Sequence, residues 1–187
     1  RLVDDFLVFF KAVNNPIAVR SSSLLEDSHY QPFAGIFSTY MIPNVEDESE
    51  MVRMVSDAIK AVYASVFYKD SKSYMIATQN VVDQEKMAIV LQEVAGSRYN
   101  NHFYPTISGV ARSINYYPLG DEKPEDGVVQ MALGLGKYIV EGCQGLRFSP
   151  LYPKKILQLS IIDSALKETQ SHFYALSMHS IEQEFLV

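Results

Sequence analysis

The chain has 187 residues, enough for one globular domain with room for two lobes. Apolar residues make up 48% and charged residues 20%, with both signs mixed along the chain, which excludes a disordered polyelectrolyte. A formal net charge of −6 argues against a broad nucleic-acid footprint, and no apolar run approaches the roughly 20 residues that span a bilayer, so neither nucleic acid nor membrane is expected as a partner.

Residues 2–13 place Leu2, Phe6, Phe9, Phe10 and Val13 at helical spacing, and Asn14-Asn15-Pro16 ends that helix. Ile17-Ala18-Val19 reads as a short strand that delivers Arg20 into a polar loop over residues 21–35. Phe37–Ile42 is a strand candidate closed by Pro43-Asn44. The acidic run Glu46, Asp47, Glu48 and Glu50 suits the positive end of an amphipathic helix, whose apolar stripe is Met51, Val55, Ala58, Ile59, Val62 and Val66.

Met87–Val94 is a near-continuous apolar run and predicts a strand covered on both faces. Thr106–Ile114 is a further strand, in which Gly109 marks a close backbone approach. A charged turn over Asp121–Asp126 leads to a strand over Val128–Leu133, then Gly134-Leu135-Gly136 and a short helix or turn over Tyr138–Cys143. Ile156–Ile162 alternates like an exposed strand, and residues 164–187 are partly helical. Strands in neighbouring pairs as well as around a helix predict an α+β domain with a mixed or antiparallel sheet packed against helices.

Cys143 is the single cysteine, so no internal disulfide is available, and no Cys/His neighbour suggests a metal site; a reducing, cytoplasmic setting is the expectation. His29, His102, His172 and His179 share no metal-ligand spacing. No catalytic residue and no metal ligand is assigned.

The segment from Val19 to Asp27 carries the chemistry. The Arg20 guanidinium offers paired donors that match phosphate oxygens, Ser21, Ser22 and loop N–H groups can complete a cradle, and Glu26-Asp27 can orient Arg20 or hold a cation. A surface loop with a salt-bridged arginine is the plainer alternative. Arg-Ser-Ser-x-x-x-Glu-Asp, followed by Phe33-Ala34-Gly35, resembles the signature of the pyruvate phosphate dikinase and phosphoenolpyruvate synthase ATP-binding domain; Thr39 and Asn44 also fall in place.

The resemblance continues through Ala64, Ser65, Phe67 and Tyr74, with Asp70 and Met75 standing where that family has arginines. Ile89–Val94 is similar to its Val-Val-Val-Gln-x-Met-Val strand, Ser108-Gly109-Val110 to its Ser-Gly-Val strand, and residues 129–136 to its Ile-Glu-Ala-Ser-Trp-Gly-Leu-Gly run. Gln130 and Lys137 each replace a glutamate of the family pattern. The resemblance spans residues 16–150.

It implies an ATP-grasp-like lobe in a single partial domain, the lobe being residues 14–150 and residues 151–187 a divergent extension. It implies ATP as ligand, with Arg20, Ser21, Ser22, Glu26, Gln92, Glu93, Val94 and Lys137 at the nucleotide. It also implies that the magnesium-binding Asp-x-Glu, the phosphate-clamping lysine and the phosphate-accepting histidine lie outside this piece, which alone is expected to be inactive. The implied parent phosphorylates pyruvate through that histidine, acts in the cytoplasm and can be a homodimer. A degenerate, non-catalytic ATP-binding module and a dikinase with another acceptor, such as a glucan, stay open.

Overall fold

Leu2–Ala12 forms the first helix, α1, whose Phe9 and Phe10 lie against the core while Phe6 stacks on Phe10 at 6.0 Å between ring centroids. It stops before Pro16, whose ring disfavours helical backbone at the preceding residue. The computed structural model describes residues 2–23, 36–77 and 86–178. Its chain divides into two units: Arg1–Ala95 with Ser177–Val187, and Gly96–Leu176.

In the first unit, β1 (Ile17–Ser23) lies between β2 (Tyr40–Ile42) and β3 (Met87–Glu93), antiparallel to both. β1 is longer than its apolar run predicts. Its ladder with β3 runs unbroken from Ile17↔Glu93 to Ser23↔Met87, so Arg20, Ser21 and Ser22 are strand residues rather than the start of a loop. The strand expected from Phe37 begins only at Tyr40.

α2 (Glu48–Ser65) covers one face of this sheet with Met51, Met54, Val55, Ala58 and Val62, which recur at three- and four-residue steps and are buried. Asp47 caps it, accepting hydrogen bonds from the N–H groups of Ser49 at 2.8 Å and Glu50 at 3.2 Å. Asp47→Ala is therefore expected to cost about 1 kcal/mol, read as a lower urea midpoint at unchanged slope. The end of α2 is tied to α3 (Lys69–Ala77) through buried Ser65, whose carbonyl accepts from the Ser71 hydroxyl at 2.7 Å.

β3 departs from expectation in its exposure. Met87, Ile89 and Leu91 are half-buried against the core, but Ala88, Val90 and Gln92 are exposed, so one face of the strand is open. A continuous apolar run does not reveal how many faces are covered.

In the second unit, β4 (Ser97–Tyr99) and β5 (His102–Tyr104) form a hairpin around Asn100, which adopts the left-handed conformation at φ 54°. This hairpin was not legible as a run of apolar residues; its signal is the Asn-Asn pair between aromatic positions. Their sheet is completed by β9 (Leu176–Ser177). β6 (Ser108–Arg112), β7 (Val128–Ala132) and β8 (Leu146–Phe148) form an antiparallel sheet. Gly109 does mark a close approach: a Cβ there would sit 2.3 Å from the Gln130 carbonyl oxygen.

The short helix α4 (Lys137–Val140) follows the Gly-Leu-Gly turn. Residues 156–162 are not a strand but a 3₁₀ turn, Leu157–Leu159, leading into α5 (Ile162–Glu168). The Gln158 side chain accounts for this. It accepts from the Arg147 N–H at 2.9 Å and donates to the carbonyls of Gly145 at 2.9 Å and Glu168 at 3.1 Å, stapling the turn where a ladder would otherwise be needed. The fold is α+β, and the described strand pairings with a known direction are antiparallel.

Candidate nucleotide site

The open face of the first sheet follows from the two-residue period of a strand. Ile17 and Val19 turn into the core, so Ala18, Arg20 and Ser22 turn the other way, with Ala18 covered and Arg20 and Ser22 exposed; on β3 the same face carries Ala88, Val90 and Gln92. Arg20 stands opposite Val90, and its Nη1 reaches diagonally to donate to Gln92 Oε1 at 3.2 Å. A cation is thus held beside an exposed apolar side chain, with Ser22 two residues along. Arg20, Ser22 and Gln92 come together here, whereas Ser21 lies on the core-facing side and is half-buried. Gln92 meets its hydrogen-bonding need through Arg20 without being buried.

Glu93 and Val94 serve the strand end. Glu93 Oε1 accepts from the N–H groups of Asn14 at 3.2 Å and Asn15 at 3.0 Å, and the Val94 N–H donates to the Pro16 carbonyl at 2.8 Å. That bond sets the ladder phase: the N–H and C=O of Gln92 and Val90 point toward β1, and those of Leu91 and Glu93 point to the outer edge of β3. Pro16 has no N–H to return to Val94, so the Val94 carbonyl receives nothing from β1. Main-chain donors and acceptors therefore line the edge next to the Arg20 face. Glu26, Asp27, Phe33-Ala34-Gly35, His29 and His179 lie outside the described residues.

Lys137 belongs to the second unit. Its side chain is only 18% exposed, its Nζ is 3.5 Å from Glu141 Oε1 and it sits 5.2 Å from the centroid of the Tyr174 ring. The Tyr174 hydroxyl donates to Glu141 Oε2 at 2.8 Å, and that hydrogen bond raises the phenol above its ordinary pKa. The lysine charge is therefore met by a carboxylate one turn on, a partner that sequence reasoning missed although the i,i+4 spacing was available.

Met75 is buried with Phe37 and Val66, which explains why a methionine suits this position, while Asp70 is exposed. Among the described residues no group of three or more His, Cys, Asp or Glu side chains is arranged to hold a metal ion. No helix among them is long and apolar enough to cross a membrane.

Residues 3–184 match the family described as pyruvate phosphate dikinase, AMP/ATP-binding domain. That match extends past residue 150, where the resemblance read from motifs stops. Similar proteins include a phosphoenolpyruvate synthase of Aeropyrum pernix, 33% identical over 126 residues, which are 67% of this chain and 13% of the relative. An uncharacterized phosphotransferase of Bacillus subtilis (strain 168), YvkC, is 32% identical over 126 residues, again 67% of this chain and 13% of the relative. The matched stretch is thus a small part of each relative's length.

Proposed function

Since this chain belongs to the pyruvate phosphate dikinase AMP/ATP-binding domain family, we propose that it supplies part of the ATP site of a larger phosphoenolpyruvate-synthase-like phosphotransferase. The observation that carries this reading is the Arg20–Gln92 pair on the open sheet face. In it, Arg20 neutralises phosphate oxygens, with Ser22 as a neighbouring donor. Gln92 holds the guanidinium in place. The outward main chain of Leu91 and Glu93 reads the adenine edge, Val94 anchors the strand end to Pro16, and exposed Val90 offers the base an apolar surface. The Glu93 carboxylate fixes the strand end through Asn14 and Asn15. Ser21, Glu26 and Lys137 complete the proposed set.

Phosphoryl transfer depends on positioning and on neutralising the phosphates. Magnesium, held elsewhere in the longer protein, would supply charge neutralisation. A histidine on another domain would take the phosphoryl group and pass it to pyruvate, in a cytoplasmic enzyme that can be a homodimer. The 187-residue piece alone would bind without turning over.

A second reading, a binding or regulatory module without catalysis, is favoured by the Lys137–Glu141 ion pair, which occupies the position after Gly-Leu-Gly where the family has a glutamate. A glucan or another small acceptor remains the alternative to pyruvate. Calorimetric titration of the full-length protein with ATP tests the shared core of these readings. Arg20→Ala is expected to weaken ATP binding about tenfold or more, the effect of losing a charge-assisted hydrogen bond, with an unchanged melting temperature because Arg20 is exposed. Unchanged affinity overturns the assignment. Pyruvate-dependent ATP turnover with a phosphorylated histidine decides for the enzyme over the regulatory module.

A further inference from the structure

In the second unit a groove of about 950 Å³ opens beside β7 and β8, and a smaller cavity of about 210 Å³ shares its Gln130 and Arg147. These two residues face each other across the ladder, Gln130 exposed and Arg147 half-buried. None of the residues assigned above to the nucleotide lines either cavity.

Arg147 is unusually well fixed. Its Nη2 donates to Asn115 Oδ1 at 2.7 Å and to the Tyr117 carbonyl at 2.7 Å. Asn115 is itself 1% exposed and fully committed: its N–H donates to the Pro124 carbonyl at 2.8 Å, its Nδ2 to Glu122 Oε2 at 2.9 Å, and its Oδ1 also accepts from the Tyr117 N–H at 3.1 Å. One nitrogen of the guanidinium fork is thereby anchored. Among the described residues, Nε and Nη1 meet no acceptor. A buried network that orients a cation into a cavity costs ordering entropy before any ligand arrives, which favours a preorganised site.

Charged residues of both signs line the groove. Asp121 is tied to Lys155 at 2.6 Å, which lowers the carboxyl below its ordinary pKa. Glu122 is spent on Asn115 and on the Leu119 N–H at 3.0 Å. Lys154 has no such partner among the described residues. With Lys155 offsetting Asp121, Arg147 and Lys154 stand against Glu122 and Glu168, so the lining charges balance and the site rests on the fixed Arg147 donors rather than on net charge.

We propose that this groove binds the phosphate group of a small phosphorylated ligand: Arg147 and Lys154 neutralise the oxyanion and the Gln130 amide donates to it. The three donors come from β8, β7 and the turn before Ile156. Such separate directions suit a tetrahedral oxyanion better than a planar carboxylate, which the guanidinium alone would satisfy. Leu119 and Ile156 on the groove wall meet the apolar part of the ligand.

The test is an NMR titration of the whole chain with inorganic phosphate, followed at the Gln130 side-chain amide, with acetate as the carboxylate arm. It is run in wild type and in Arg20→Ala, so that loss of the nucleotide reading would leave this result intact. A saturable shift at Gln130 that survives Arg20→Ala and is absent with acetate is expected. Lys154→Gln, an exposed change that leaves the fold alone, should weaken phosphate binding severalfold, and Arg147→Lys about tenfold. No saturable shift, an equal response to acetate, or an unchanged affinity in Lys154→Gln overturns the proposal.

Discussion

Val19→Asp is expected to abolish folding of the first unit at neutral pH. Val19 is fully buried at the centre of β1, between Tyr40 on β2 and Leu91 on β3, with α2 over it. A carboxylate there has no cation in its surroundings, because the cation of β1, Arg20, turns to the opposite face. Burial raises such a group by up to about 3–5 pKa units, so it enters the fold largely protonated at a cost of about 4 kcal/mol at pH 7, to which the unpaired buried acid and the lost valine packing add. Total stabilities are only about 5–15 kcal/mol.

The sign of the pH dependence is fixed. A folded-state pKa above the unfolded one makes the penalty smallest below the unfolded value and growing as pH rises toward the folded value. Melting followed by circular dichroism at pH 4.5 and 7.5, against Val19→Ala as an uncharged control, should show Val19→Asp losing far more at 7.5 than the control does. Equal losses for the two variants at both pH values would show that position 19 is not in a closed apolar core.

Asn115→Leu is expected to cost about 2–4 kcal/mol in the second unit, although leucine keeps the branching of asparagine at Cγ. The loss does not come from a cavity. It strips partners from the Tyr117 N–H, the Arg147 guanidinium and the Glu122 carboxylate together, and Asn115 is the buried hub that joins them. Water can reach Tyr117 and so recovers part of the cost, which keeps the figure below the sum of three buried orphans. Urea unfolding read by amide exchange on β6 and β7 measures it. A loss under about 0.5 kcal/mol, the size of an ordinary surface change, would mean that the network does not hold Arg147.

Two helices of the first unit, α1 and α2, were legible early. α2 declares itself by apolar residues at helical steps and by Asp47 at its cap, because both are local features of consecutive residues. The same holds for the stop at Pro16 and for Gly109, whose lack of a side chain has a local meaning that the ladder to Gln130 then uses. The long gapped pattern around Arg20 pointed to a nucleotide family, and the family match carries that conclusion across residues 3–184.

What the chain alone determined, then, is the helix periodicity, the α+β class and the family. Tertiary structure decided which face of each strand is covered and which polar residues meet. β3 looked buried on both sides because apolar content does not encode what packs above it. Gln158 turned an alternating segment into a staple, since a side-chain amide can satisfy distant carbonyls as a ladder would. Arg20 met Gln92 across 72 positions and Arg147 met Asn115 across 32, contacts set by strand register and chain reversal rather than by any local preference. A hydrogen bond between residues far apart in sequence exists only after the backbone between them has been folded, and that is why the pattern of residues could name the cations but not their partners.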